Sequence, residues 1–219
     1  MEDSFAQGKH NQKFRKILQV AARLFAKKGY EKVSIEEIAW KLNLTKGSLY
    51  HYFKSKEEVL FLIQRDSLSI GIAALAGVRD SDQDPLSKLK DAIRTHVEIV
   101  TRQEVAGALL QQELILPRLY RDPIIEARDR YEGIFRDIVS QGIQQGVFSA
   151  RNWRLSCIAA LSLLNGISKW YSPRGEKTLE EITEAVTDFI VKGFQPGQPP
   201  PVPGLAPLNK PQTAGPGPV

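Results

Sequence analysis

Residues 45–56, TKGSLYHYFKSK, put hydroxyls, amide-rich backbone, aromatic rings and cations on one short segment. Thr45, Ser48, Tyr50 and Tyr52 carry hydroxyls that donate to phosphate oxygens. Lys46 and Lys56 supply positive charge, and Gly47 lacks the Cβ that would hold a backbone away from a partner. His51 completes the set. These groups suit contact with a nucleic-acid backbone and the edges of bases: phosphate contacts position a protein, and base-edge contacts select sequence. Ser34 and Ser55 precede helical segments whose first N–H groups attract phosphate.

Such a surface needs a support that faces inward. Leu49 and Phe53 are four residues apart and share the opposite side of a helix at 45–52. Before it, Ser34 with Glu37 forms a capping box that opens a helix at 35–42, with Ile38, Ala39 and Leu42 on its buried side. Asn43 and Leu44 join the two helices. The joint is a tight bend that needs a residue tolerating positive φ, and asparagine is one of the few besides glycine. Two short helices joined by such a bend form a helix-turn-helix.

The surrounding chain is predicted to be helical almost throughout. Phe14, Ile17, Leu18, Ala21, Leu24 and Phe25 give a helix over 12–28, stopped by Gly29. Ser55 with Glu58 caps a helix running to about residue 78. Asp84 and Pro85 open a helix over 85–101. Further helices are expected at 103–120, from Pro123 to Gln145 with Gly146 as the stop, and at 152–171. Thr178 with Glu181 caps a last helix ending near Phe194. Residues 195–219 contain nine of the 13 prolines, four glycines and a single charge, Lys210, and are expected to be disordered. The fold class is all-α, and no strand pattern or internal repeat is seen.

Charge is uneven. Residues 1–60 hold 12 Lys and Arg against 7 Asp and Glu, so they carry the whole net charge of +5. A basic module joined to a neutral body points to an anionic partner for the module. No uninterrupted apolar run reaches the roughly 18 residues of a membrane span, and no signal-peptide core is present, so a soluble cytoplasmic protein is expected. Cys157 stands alone within LSCIAALSLL and is expected to be a buried, inert thiol. His10 and His96 have no Cys, His or carboxylate at metal-ligand spacing, so no metal site and no cofactor are expected. No phosphate-cradling glycine loop and no assignable nucleophile–base pair argues for an enzyme.

The segments ILQVAARLFAKKGY and VSIEEIAWKLNLTKGSLYHYFKSKEEVL together resemble the DNA-binding signature of the TetR family of transcriptional regulators. The resemblance covers about residues 12–60. It implies a three-helix DNA-binding domain at 1–56, a larger helical ligand-binding and dimerisation domain at 57–194, and the tail at 195–219. It also implies a homodimer that represses from a palindromic operator and leaves when a small molecule binds. The positions matching the family's DNA contacts are Ser34, Thr45, Lys46, Gly47, Ser48, Tyr50, His51, Tyr52 and Lys56. The family commonly has glycine where Asn43 stands, and Trp40 occupies a position that is often small or polar.

The second domain carries less. LNGISKWYSPRGEKTLEEI, 164–182, resembles an acyl-CoA-responsive, FadR-like branch of the family. Lys169 and Arg174 can meet phosphates, and Trp170 or Tyr171 can stack on an adenine. Trp170 packed in the core beside a polar SPRG turn is the alternative. The effector-binding residues expected are Glu113, Arg128, Tyr131, Asn165, Lys169, Trp170 and Arg174. The helix at 152–171 is apolar on more than one side, so a second subunit can cover one of them. With the stripe on the last helix this predicts a four-helix dimer interface containing Ile158, Leu161, Leu164, Ile182, Val186 and Ile190. Two alternatives stand beside an acyl-CoA effector: a repressor of an efflux or other operon answering a non-CoA hydrophobic ligand, and a DNA-binding protein with no effector.

Overall fold

The computed structural model describes residues 2–102, 116–149 and 151–195, with side chains from residue 12. Residues 103–115 of the helix expected at 103–120, Glu113 among them, and the tail beyond 195 lie outside the described residues. Within them are eight helices and no strand. They are α1 (Glu2–Lys28), α2 (Ile35–Lys41), α3 (Lys46–Tyr50), α4 (Lys56–Arg79), α5 (Pro85–Thr101), α6 (Arg118–Gln144), α7 (Trp153–Trp170) and α8 (Leu179–Phe194).

The helix boundaries follow local chemistry. The Ser34, Thr45 and Ser55 hydroxyls accept from the backbone N–H three residues on, at 3.1–3.2 Å, each satisfying one orphan donor of its helix. Asp84 does the same for Leu86 and Ser87, with Pro85 in the first turn. At α8 the capping box is complete, Thr178 and Glu181 each accepting from the other's backbone. The Ser34 box is only half made, because the Glu37 carboxylate pairs with Lys28 instead. Gly29 and Gly146 stop α1 and α6 at φ 84° and 73°, and Asn43 takes φ 53° in the bend.

Three boundaries differ from expectation. The first helix begins at Glu2, ten residues before the expected start at 12. The segment α3 is helical over only five residues, after which Tyr52 and Phe53 both donate to the Leu49 carbonyl and close it. The start of α6 lies at Arg118, five residues before Pro123, which is inside the helix. Tertiary packing recruits that first turn: Tyr120 stacks on Phe61 of α4 at 5.0 Å, and Leu116 is buried.

Two apolar cores share α4. The first joins Ile17, Ala21 and Phe25 of α1, Ile38 of α2, Leu49 of α3 and Leu60 of α4, and extends to Leu116, Ile124 and Ala127. The second holds Leu75 of α4, Leu89 and Ile93 of α5, Phe135 and Ile138 of α6, Leu164 and Ile167 of α7, and Phe194 of α8. Ile72 packs against both. By length and composition α4 could cross a bilayer, with a mean hydropathy of 1.5, which a count of uninterrupted apolar residues does not register. Val59, Leu60, Leu62, Ile63, Leu68 and Leu75 on it are buried in the two cores, as in a central helix of a folded body, while Ile70 is exposed.

Two glycines allow close approach. A Cβ on Gly71 would meet the Tyr131 ring at 2.9 Å, and one on Gly142 would meet Phe148 at 2.1 Å. The Phe148 ring is itself held in the second core against Phe194, so it has nowhere to retreat. Gly142→Ala is therefore expected to overpack this corner and to cost about 1–3 kcal/mol. Thermal unfolding followed by circular dichroism checks this, at roughly 2–4 °C per kcal/mol; an unchanged midpoint would contradict the close approach.

Candidate nucleic-acid interface and internal cavity

The bend between α2 and α3 is closed by the Ala39 carbonyl, which accepts from Leu42 at 3.0 Å and from Leu44 at 2.9 Å. Below it Leu49 and Phe53 are buried, and Phe14 of α1 stacks on Phe53 at 5.1 Å. These anchors turn Ser34, Thr45, Lys46, Gly47, Tyr50 and His51 to solvent, with Ser48 half-buried. The structure thus leaves six of the nine expected contact residues exposed around the bend and the other three, Ser48, Tyr52 and Lys56, half-buried.

Tyr52 and Lys56 are partly engaged inside. Tyr52 packs against the first core, its ring 6.3 Å from that of Phe53. The Lys56 ammonium lies 4.1 Å from the Tyr30 ring centroid and donates to the Tyr30 carbonyl at 2.9 Å. Lys56 thereby latches the loop after α1 to the start of α4.

One residue on this face escaped sequence reasoning. Glu36, in the first turn of α2, forms an ion pair with Lys46 of α3, both side chains being exposed. The hydrogen bond from Lys46 holds the Glu36 carboxyl down at about 2, and the same bond raises the Lys46 ammonium. In sequence Glu36 reads only as an acid suited to the start of a helix. Trp40 is 71% exposed, with the Lys41 ammonium 5.0 Å from its ring centroid.

A cavity of about 300 Å³ lies between α4, α5, α6 and α7. Of the expected effector residues it brings together Arg128, Tyr131, Asn165 and Lys169. Trp170 and Arg174 are not among its walls. Trp170 is 59% exposed, so it does not pack in the core, whereas SPRG is a polar turn in which Gly175 donates to the Ser172 carbonyl at 2.9 Å. His96, expected to be an ordinary residue, stands at the back of the cavity. Its Nδ1 lies 2.7 Å from the Tyr131 hydroxyl and its Nε2 3.2 Å from Asn165 Oδ1. Burial pulls His96 down to about 4, raises the Tyr131 phenol and lowers the half-buried Arg128. A lone histidine on an apolar helix face carries no signal of partners on two other helices. Cys157 is buried in the second core, which pushes its thiol up to about 12 and leaves it unreactive. Among the described residues no three His, Cys, Asp or Glu side chains gather to hold a metal.

Two regions of this architecture match known families. Residues 17–63 match the family described as bacterial regulatory proteins, tetR family, and residues 82–194 match the tetracyclin repressor-like C-terminal domain. The chain belongs to the TetR family. Members of this family are DNA-binding transcriptional regulators rather than enzymes. The HTH-type transcriptional repressor KstR2 of Mycobacterium tuberculosis is 26% identical over 195 residues, covering 85% of this chain and 95% of the relative. The TetR family regulator PfmR from Thermus thermophilus superimposes with a TM-score of 0.75 at 35% identity, over 80% of this chain and 97% of PfmR. AibR, solved in complex with isovaleryl coenzyme A and operator DNA, has a TM-score of 0.73 at 29% identity, over 80% and 96% of the two chains.

Within this TetR-family body, the six residues expected at a dimer interface divide. Leu161, Leu164 and Ile190 are buried in the protein's own second core, so they do not form an outward face. Ile182 and Val186 are half-buried against that core, and Ile158 is 53% exposed. The apolar side chains that α7 and α8 leave uncovered include Leu155, Ile158, Leu163, Trp170 and Phe189.

Two outcomes follow from the electrostatics. Removing the Glu36 charge frees Lys46, so Glu36→Gln is expected to steepen the salt dependence of DNA binding by about 0.9 in slope, one phosphate more. Lys46→Ala is expected to leave that slope near or below wild type and to weaken binding. Anisotropy titrations at several salt concentrations measure both, and parallel slopes for wild type and Glu36→Gln would refute the pairing. His96 is neutral when folded and gains a proton when unfolded, so the unfolded state binds more protons between pH 6.5 and about 4. Its contribution is complete above pH 6.5 and is lost as the pH falls through that window, by about 3 kcal/mol at about 1.4 kcal/mol per pH unit. Thermal melts of wild type should fall more steeply across this window than those of His96→Gln.

Proposed function

We propose that the protein is a homodimeric repressor that reads a palindromic operator with α3 and is released by an acyl-CoA thioester held in the α4–α7 cavity. The observation that carries this reading is the position of the cavity. One of its walls is α4, whose other end sits in the same core as α3. Tyr131 presses on α4 at Gly71, so a molecule that displaces the Tyr131 ring acts on that helix. The complex of AibR with isovaleryl coenzyme A and operator DNA supports both halves of the reading in a protein of similar fold.

In this reading residues 1–56 form the DNA-reading domain and 57–194 the effector and pairing domain, with α4 common to both. Ser34, Thr45, Lys46, Gly47, Ser48, Tyr50 and His51 meet DNA directly, while Tyr52 and Lys56 hold the reading face in place. The uncovered residues Leu155, Ile158, Leu163 and Phe189 form the pairing face. A two-fold pair sets the two α3 helices about 34–36 Å apart, one helical turn of DNA. The effector favours a state with a different separation, and it acts only through its difference in affinity between the two states. Binding DNA, the protein works in the cytoplasm.

Ile158→Glu places a charge in the pairing face and is expected to give a folded monomer by light scattering. Because the dimer holds two half-sites, that variant should lose operator binding by a factor of at least about 10³. Isovaleryl-CoA is expected to release wild type from a fragment of its own upstream region in a gel shift. A monomeric Ile158→Glu that keeps full operator affinity would overturn the homodimer. Retention of the operator complex against every thioester tried, from short to long acyl chains, would overturn the effector.

A further inference from the structure

The back of the cavity carries a chain of neutral hydrogen bonds whose direction follows from the orientation of the Asn165 amide. Asn165 Oδ1 is 3.2 Å from His96 Nε2, and an amide oxygen only accepts, so Nε2 carries the ring hydrogen. Burial keeps the imidazole neutral, which leaves Nδ1 without a hydrogen. The Tyr131 hydroxyl, 2.7 Å away, therefore donates to Nδ1. The chain runs from Tyr131 through His96 to Asn165, and it turns the oxygen of Asn165 inward.

The consequence lies at the other end of that amide. With Oδ1 committed to His96, the Asn165 NH₂ is left to face away from the histidine on the cavity wall. Among the described residues nothing accepts from it. Around it the wall combines apolar Leu68, Val100 and Leu161 with the cations Arg128 and Lys169 and a single acid, Glu132. A fixed donor above apolar walls, with net positive charge, fits an acyl group whose oxygen accepts and whose remainder is anionic.

We propose that the Asn165 amide donates to the carbonyl oxygen of the bound acyl group, the thioester carbonyl of a CoA conjugate, with His96 and Tyr131 as positioning residues that fix the amide's orientation. This rests on the acyl-CoA reading given above and names the contact that selects the ligand. The acyl group lies against Leu68, Val100 and Leu161, and Lys169 stands on the CoA side.

Three probes separate the possibilities: isovaleryl-CoA, the thioether S-isopentyl-CoA in which CH₂ replaces C=O, and free isovalerate. Affinities are measured by calorimetry on the full chain. Wild type should bind the thioester about three- to tenfold more tightly than the thioether, the worth of one hydrogen bond to a positioned donor. Asn165→Leu should bring the two within about twofold of each other, by weakening the thioester and leaving the thioether. Asn165→Asp, close in size and acceptor-only, should weaken the thioester further and invert the preference, and its unliganded melting point shows whether it folds. His96→Phe should narrow the thioester preference while keeping thioether affinity, which a merely structural role would not do. Equal binding of thioester and thioether by wild type would overturn this inference and leave the acyl-CoA reading standing. Failure of wild type to bind either CoA compound would overturn both. Binding of isovalerate in place of the thioester, lost in Asn165→Leu, would move the same donor to a carboxylate and overturn the thioester.

Discussion

The crossing of α4 and α6 at Gly71 is the constraint on which the remaining arrangement depends. With no side chain at that point, the Tyr131 ring lies against the α4 backbone. That contact shapes the cavity, buries the phenol beside His96 and joins the two cores through one helix. Any larger residue at position 71 would push the ring toward the space a ligand would fill. The amino-terminal half of α4 contributes Val59, Leu60 and Ile63 to the first core, and its carboxy-terminal half contributes Leu75 to the second. A close-packed interior does not deform continuously, so a shift of such a shared helix proceeds between discrete packings.

The first core is firmly coupled to that crossing. Lys56 ties the first residue of α4 to the Tyr30 carbonyl, and the Tyr30 hydroxyl reaches Glu57 at 3.4 Å. Further along, the Phe61–Tyr120 stack and the burial of Leu116, Ile124 and Ala127 fasten the first core to α6. The first core is therefore not hung from the second by α4 alone. It rests on the same helix, α6, that supplies Tyr131 and Arg128 to the cavity. Movement of α6 against α4 is felt at both of these attachments.

Much of this was legible in the sequence wherever the determining chemistry was local. Caps at Ser34, Thr45, Ser55, Asp84 and Thr178, the stops at Gly29 and Gly146, and the positive φ of Asn43 depend on residues within a turn of each other. The inward pair Leu49 and Phe53 follows from helical spacing. The start of α6 was hidden because Asp122-Pro123 imitates a helix opening, while the packing that extends the helix comes from Phe61, far away in sequence. Which side of α7 faces outward was hidden too. A helix apolar all round gives periodicity no preferred face, so Leu161 and Leu164 looked as available as Leu155 and Ile158. His96 needed Tyr131 and Asn165, 35 and 69 residues away, before it became more than an apolar-face histidine.

The two functional regions use opposite physical means, and that division suits a switch. On the DNA side Lys46 and Glu36 are solvated charges, which exchange partners at little cost because water and salt compensate each arrangement. In the cavity His96 and Tyr131 are neutral, buried and mutually satisfied, so rearranging them without a replacement costs about 1–3 kcal/mol per abandoned group. Coupling between an effector site and a second site is typically also about 1–3 kcal/mol. The cost of disturbing one such hydrogen-bonded chain is thus of the same size as a typical coupling energy. Under the proposed reading, a ligand that accepts from Asn165 would act by favouring one packing of α6 on α4 over another. In that reading the difference in affinity between the two states, and not the tightness of binding itself, would set the spacing of paired α3 helices.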